Sequence, residues 1–169
     1  AHMGGNITVQ STPGQGSTFS FSVRLPLAKQ AGTGAEDAYV PELRGKRILL
    51  VEDLEINRVI MQELLADTGA DIDEAENGRQ ALELFRAAAP NHYDLILMDI
   101  QMPEMNGYEA TRAIRALKRA DAATVPIVAM TANAFKEDAD NAISAGMNAH
   151  LTKPVDITAL WRMLDERVA

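Results

Sequence analysis

The chain has 169 residues, no cysteine and a formal charge of −8. The absence of cysteine excludes disulfides, thiolate-ligated metal and a thiol nucleophile; the acidic balance argues against nucleic acid or an anionic membrane as a direct partner. No apolar run approaches the ~20 residues that cross a bilayer, and hydrophobic residues at 47% exclude wholesale disorder.

Ala1-His2-Met3 reads as a cloning remnant and is set aside. Two alternating runs follow. Ile7 and Val9 alternate with polar residues, as do Phe19, Phe21, Val23 and Leu25. Period two predicts two half-buried strands joined by the turn-rich Ser11–Gly16 segment, a β-hairpin within residues 4–27. A lone hairpin is marginal in water. Its apolar stripe is therefore expected to be disordered, or to dock on the rest of the chain or on a second copy, a route to self-association. Residues 28–45, rich in Ala, Gly and charge without periodicity, read as a linker. All 24 acids lie beyond residue 35, which carries a formal −10 there against +2 before it, so the two pieces differ in origin.

From residue 46 to 169 the pattern is strand, helix, strand. Ile48–Val51, Leu95–Met98 and Ile127–Met130 are short and wholly apolar, which predicts strands buried on both faces and hence parallel. Ala70–Ala75 is polar enough for a sheet edge, and Ala149–Thr152 is the fifth strand. Helical periodicity predicts core-facing stripes at Ile56, Val59, Ile60 and Leu64, at Ala81, Leu84, Phe85 and Ala88, and at Ile157, Leu160, Trp161, Leu164 and Val168. Weaker helical patterns run through Ala113, Ile114 and Leu117, and through Phe135, Ala139, Ala142 and Ile143. Five alternations make an α/β domain with right-handed crossovers.

Glu52-Asp53, Asp99, Thr131 and Lys153 each directly follow an apolar strand. In an open parallel sheet those carboxyl ends share one rim, where ligands bind. Carboxylates crowded there repel by about 4 kcal/mol per close pair at ~4 Å and an effective dielectric of ~20. A hard divalent cation removes that penalty, and an oxygen-lined, partly hydrated notch suits Mg²⁺. Lys153 and Thr131 can hold phosphoryl oxygens, Ala132 is small enough to leave the approach open, and a carboxylate can act as nucleophile to give an acyl phosphate. Taken singly, Asp53 is a turn or cap residue and Lys153 a solvated lysine; it is the shared rim that favours chemistry.

These residues resemble the response-regulator receiver family. Glu52-Asp53 resembles its acidic pair. Met98-Asp99 with Met102-Pro103-Glu104-Met105-Asn106-Gly107 resembles its phosphoacceptor strand and loop, and Met130-Thr131-Ala132 and Lys153-Pro154 its switch threonine and Lys-Pro. The resemblance implies a doubly wound, flavodoxin-like (βα)5 fold of strand order 2-1-3-4-5, which sets Asp53 beside Asp99. It further implies that Asp99 takes phosphate from a phosphohistidine, with Mg²⁺ held by Asp53, Asp99 and the backbone carbonyl of Gln101, and Glu52 acting partly through water. Lys153-Pro154 would carry a cis peptide, and Gln101 and Asn133 would tune the lifetime of the acyl phosphate. His150 stands where the family has an aromatic switch residue. As a lone residue it reads as half-buried packing, and Thr131 is the firmer switch element.

Gly14-Gln15-Gly16-Ser17-Thr18-Phe19 resembles the last glycine box of a histidine-kinase ATP-binding domain, with Leu25-Pro26-Leu27 as that domain's ending. Together the two resemblances imply the C-terminal receiver of a hybrid sensor histidine kinase. This piece would be a phosphoacceptor rather than an enzyme, cytoplasmic, with a parent kinase anchored in the inner membrane. Its partners would be a phosphohistidine domain or a histidine phosphotransfer domain. The alternatives are a vestigial receiver acting as a binding module, an aspartyl-phosphate phosphatase, which would need an acid where Gln101 stands, and a flavin binder, which the acidic loop after the first strand disfavours.

Overall fold

The three fully apolar runs form the middle of a parallel sheet. The computed structural model describes residues 6–12, 14, 16–22, 39–132 and 136–168, which divide into two units, 1–38 and 39–169. In the first unit, β1 (Asn6–Thr12) and β2 (Gly16–Ser22) pair antiparallel, Val9 opposite Phe19 and Ile7 opposite Phe21. The expected hairpin forms. Ile7, Val9 and Phe19 are exposed rather than half-buried, because a two-stranded ribbon has no second layer of its own. Val23 and Leu25 of the expected stripe lie outside the described residues.

The second unit runs β3 (Arg47–Val51), α1 (Glu55–Ala66), β4 (Asp71–Ala75), α2 (Gly78–Ala87), β5 (Leu95–Asp99), α3 (Gly107–Arg115), α4 (Ala120–Thr124), β6 (Ile127–Thr131), α5 (Lys136–Ala145), β7 (Ala149–Thr152) and α6 (Ile157–Val168). The sheet is ordered β4-β3-β5-β6-β7, all parallel. Counting from β3, this is the expected order 2-1-3-4-5. Alternate strand residues feed two cores. Leu49, Val51, Ile96, Met98, Ile127 and Ala129 pack with Ala81, Phe85, Ala110 and Ile114 from α2 and α3. Ile48, Leu50, Leu95, Leu97, Val128 and Met130 pack with Met61, Leu65, Leu160 and Leu164 from α1 and α6. Burial on both faces is why these strands read as unbroken apolar runs.

Four expectations are corrected. The stripe Ile56, Val59 and Ile60 faces solvent, at 65%, 45% and 51% exposure. The buried side of α1 is Arg58, Met61 and Leu65. Two apolar stripes overlap on this helix, and sheet packing selects the other one. The expected linker is structured at its end, with Pro41 and Leu43 buried, Leu43 among α1 and α6 side chains. The pattern through Leu117 ends earlier, at Arg115, and is followed by the short helix α4, which has no readable period. Ile143 is exposed on α5, whereas Ala142 is buried; Phe135 lies outside the described residues. None of the described helices is long and apolar enough to cross a membrane.

Candidate functional site

The carboxyl ends of β3, β5, β6 and β7 bring Glu52, Asp53, Asp99, Thr131 and Lys153 to one rim. The order β3-β5 is the reason these acids are neighbours: Val51 is in register with Met98, Asp99 directly follows Met98, and Glu52 and Asp53 are the first two residues after Val51. One carboxylate oxygen each from Glu52, Asp53 and Asp99 lies within 4.8 Å of the others. A cleft lined by Glu52, Asp53, Leu54, Asn57, Asp99, Gln101, Ala132 and Lys153 opens over them.

The three acids are not equivalent. Glu52 is wholly buried. Its Oε1 accepts a hydrogen bond from Asn57 Nδ2 at 2.7 Å and its Oε2 accepts one from Lys153 Nζ. Asp99 is nearly buried; Oδ2 accepts from Lys153 Nζ at 2.7 Å and Oδ1 from the Gln101 backbone N–H at 3.1 Å. Burial raises the Asp99 carboxyl above its ordinary value and outweighs the opposing pull of the Lys153 ammonium; the Glu52 charge adds to the rise. Asp53 is half-buried and faces the cleft and an adjoining groove lined by Ile100, Gln101, Met102, Pro103, Asn106 and Tyr108. It is the acid most open to an incoming ion. Hard oxygen donors clustered this closely fit a divalent cation of the Mg²⁺ type.

Backbone architecture fixes these positions. Asn106 and Glu109 form a capping box at the start of α3. Gly107 N–H donates to the Ile100 carbonyl at 3.0 Å, and a Cβ on Gly107 would lie 2.2 Å from the Asp99 carbonyl oxygen. Only glycine lets α3 close on the turn that carries Asp99. Lys153-Pro154 is cis, as expected, and Lys153 N–H donates to the Thr131 carbonyl at 2.7 Å.

Thr131 is buried at the end of β6 and Ala132 is exposed at the cleft. Asn133 lies outside the described residues. His150 is exposed on β7, the outer strand of the sheet, in register with Ala129, and not half-buried, because the sheet face is covered less completely at its outer strand than at its centre. Two participants escaped sequence reasoning. Asn57 holds Glu52, and the buried Arg58 donates to the carbonyls of Glu52 and Asp53. An Asn-Arg pair one turn after an acidic pair was the available signal.

Comparison with known proteins agrees with this geometry. The response regulator receiver domain model matches residues 48–165. The aerobic respiration control sensor protein ArcB of Escherichia coli K12 is 38% identical over 164 residues, which is 96% of this chain but 20% of ArcB, so the chain spans about a fifth of that relative's length. Among solved structures, the receiver domain of sensor histidine kinase PA1611 from Pseudomonas aeruginosa PAO1 has magnesium coordinated in its active-site cleft. It is 39% identical with a TM-score of 0.66, covering 73% of this chain and 98% of that one. A chain of the co-crystal structure of the Saccharomyces cerevisiae phosphotransfer protein Ypd1 with the receiver domain of Ssk1 is 33% identical with a TM-score of 0.67, covering 77% and 91%. By matched length, fold and strand-end chemistry, the chain belongs to the response regulator receiver domain family.

Proposed function

We propose that Asp99 is the phosphoacceptor of a phosphorelay, and that the chain is the receiver portion of a hybrid histidine kinase. The observation that carries this reading is the convergence of Asp53, Asp99 and Lys153 on one cleft. An Asp99 carboxylate oxygen attacks the phosphorus of a phosphohistidine. The P–N bond breaks, the imidazole leaves with its electron pair and is protonated from solvent, and an acyl phosphate forms on Asp99. Asp53, Asp99 and the Gln101 backbone carbonyl would hold Mg²⁺, with Glu52 reaching it through water. When bound, it would supply positive charge to offset the charge that builds on phosphoryl oxygens. Lys153 already sits on Asp99 and offers its ammonium to the same oxygens. Thr131 supplies a hydroxyl and acts as the switch, Ala132 keeps the approach open, and Gln101 and Asn133 would tune the lifetime of the acyl phosphate, as the family resemblance implies. The exposed His150 has a weaker claim to the switch.

The donor or recipient is a histidine phosphotransfer domain, docked on the exposed apolar face of α1. Ile56, Val59 and Ile60 form that face, with the exposed Leu54 just before the helix. It borders a recess of about 130 Å³ lined by Ile60, Met61, Met130, Pro154 and Val155, with Glu52 and Lys153 beside it. An apolar helix face next to a nucleophile suits a helical partner that must present an imidazole. The hairpin of residues 4–27 is read as the end of a kinase ATP-binding domain, supported by the match to ArcB over nearly the whole chain. The phosphoryl group would then come from a phosphohistidine of the parent or a partner, in the cytoplasm beneath an inner-membrane sensor.

Incubation with acetyl phosphate and Mg²⁺, followed by intact-mass analysis, tests the site. The wild-type chain should gain one phosphoryl group and Asp99→Asn none. Equal uptake by both would assign the chemistry elsewhere.

A further inference from the structure

Arg58 is a buried charge that the phosphoryl chemistry leaves without a task. It lies on the sheet side of α1, where Met61 and Leu65 continue the same face, and is only 9% exposed. All three nitrogens of its guanidinium are engaged. Nη1 donates to the main-chain carbonyls of Glu52 at 2.9 Å and Asp53 at 3.1 Å. Nε pairs with Glu74 at 3.3 Å and Nη2 with Glu76 at 3.4 Å. Burying a guanidinium is unfavourable unless its donors are satisfied. Here the buried donors are spent on the backbone of the two residues whose carboxylates enter the acidic cluster. The planar fork ties that turn to the end of β4, which a lysine point charge cannot do.

We propose that Arg58 is a positioning residue for divalent-cation binding: by pinning the peptide carbonyls of Glu52 and Asp53, it holds the Asp53 carboxylate within chelating reach of Asp99 before an ion arrives. This rests on reading the cluster as the Mg²⁺ site. Ligands ordered in advance lose little freedom on binding, and loss of an outer partner of a metal ligand typically weakens metal affinity about 10–100-fold. The sign of the effect separates positioning from simple charge. A guanidinium near the site repels a cation, so its removal on electrostatic grounds alone would tighten Mg²⁺. Positioning requires the opposite.

The test is calorimetric titration of Mg²⁺ into the wild-type chain, Arg58→Met, Arg58→Lys and Val125→Ala, with thermal unfolding of each measured in EDTA. Val125 is a buried core residue at the other end of the sheet, so its variant lowers stability without touching the acidic turn. Arg58→Met should weaken Mg²⁺ about 10–100-fold. Arg58→Lys should fall between it and wild type, and Val125→Ala should bind as wild type does despite its lower melting temperature. Equal or tighter binding by Arg58→Met overturns the inference, as does a matching loss in Val125→Ala. If Arg58→Met does not fold, unchanged affinity in Arg58→Lys overturns it instead. A wild-type chain that takes up no Mg²⁺ at millimolar supply overturns the metal reading itself, whereas wild-type binding with indifferent Arg58 variants overturns this inference alone.

Discussion

Thr111 lies wholly buried on α3, and its hydroxyl has no hydrogen-bond partner among the described residues. A buried hydroxyl without a partner costs about 1–3 kcal/mol, so Thr111→Val, which keeps the shape, should raise the unfolding free energy by about 1 kcal/mol. Urea denaturation with an unchanged m-value is the check; a loss of stability would mean that the hydroxyl was bonded after all. At this scale the sequence is most informative about residues at strand ends. Asp53, Asp99 and Lys153 were legible because an apolar run fixes where its strand stops, and the next side chain then falls on the rim. Asn57 and Arg58 were not legible. Their roles depend on the rotational phase of α1, and the chain Val59-Ile60-Met61 with Leu64-Leu65 supports two phases equally well. Gly107 stood in the quoted loop, yet its purpose appears only once the Asp99 carbonyl is seen 2.2 Å from where its Cβ would be.

Among the elements, α4 shows how a short helix can be held by charge rather than by propensity. Arg119, just before it, donates to the carbonyls of Phe85, Ala88 and Ala89 at the end of α2 at 2.9–3.0 Å, and its guanidinium lies 4.8 Å from the centre of the Phe85 ring. Its Nη2 pairs with Asp121 at 2.6 Å, and Asp121 also accepts the Asn91 backbone N–H at 2.8 Å. Arg119 beside it lowers the Asp121 carboxyl to about 2. A carboxyl held below its unfolded value adds stability above that value and loses it as pH falls through the folded one. The contribution, on the order of 2 kcal/mol at neutral pH, should therefore disappear between about pH 4 and pH 2. Asp121→Asn should be destabilised relative to wild type at pH 7, and the two should converge near pH 2 in denaturant melts. A gap that persists in acid would assign the effect to packing. Nothing in Ala120–Thr124 has helical period, so this element was invisible in the sequence, whereas the strands and α2 were legible from their burial on two faces or one.

For the molecule as a whole, the alternation of apolar runs and amphipathic helices predicts an α/β domain with a parallel sheet, the receiver resemblance adds the strand order, and the structure bears both out. The boundary between the two units does not follow in the same way. It falls at residue 39, because Leu43 enters the α1–α6 core, Leu43 N–H donates to the Thr68 carbonyl at 2.8 Å, and the Tyr39 hydroxyl donates to Asp165 at 2.6 Å. One leucine in a polar stretch has no period to read, and its burial is a tertiary event. Phosphate capture rests on one oxygen of one side chain. Phosphotransfer from a purified phosphohistidine domain, run in Mg²⁺ and in EDTA, followed by borohydride reduction of the acyl phosphate and peptide mass mapping, locates that oxygen. A single reduced aspartate is expected, at position 99, formed in Mg²⁺ and lost in EDTA. Label at Asp53 or at another acid, or equal labelling without the divalent ion, would refute Asp99 as the phosphoacceptor.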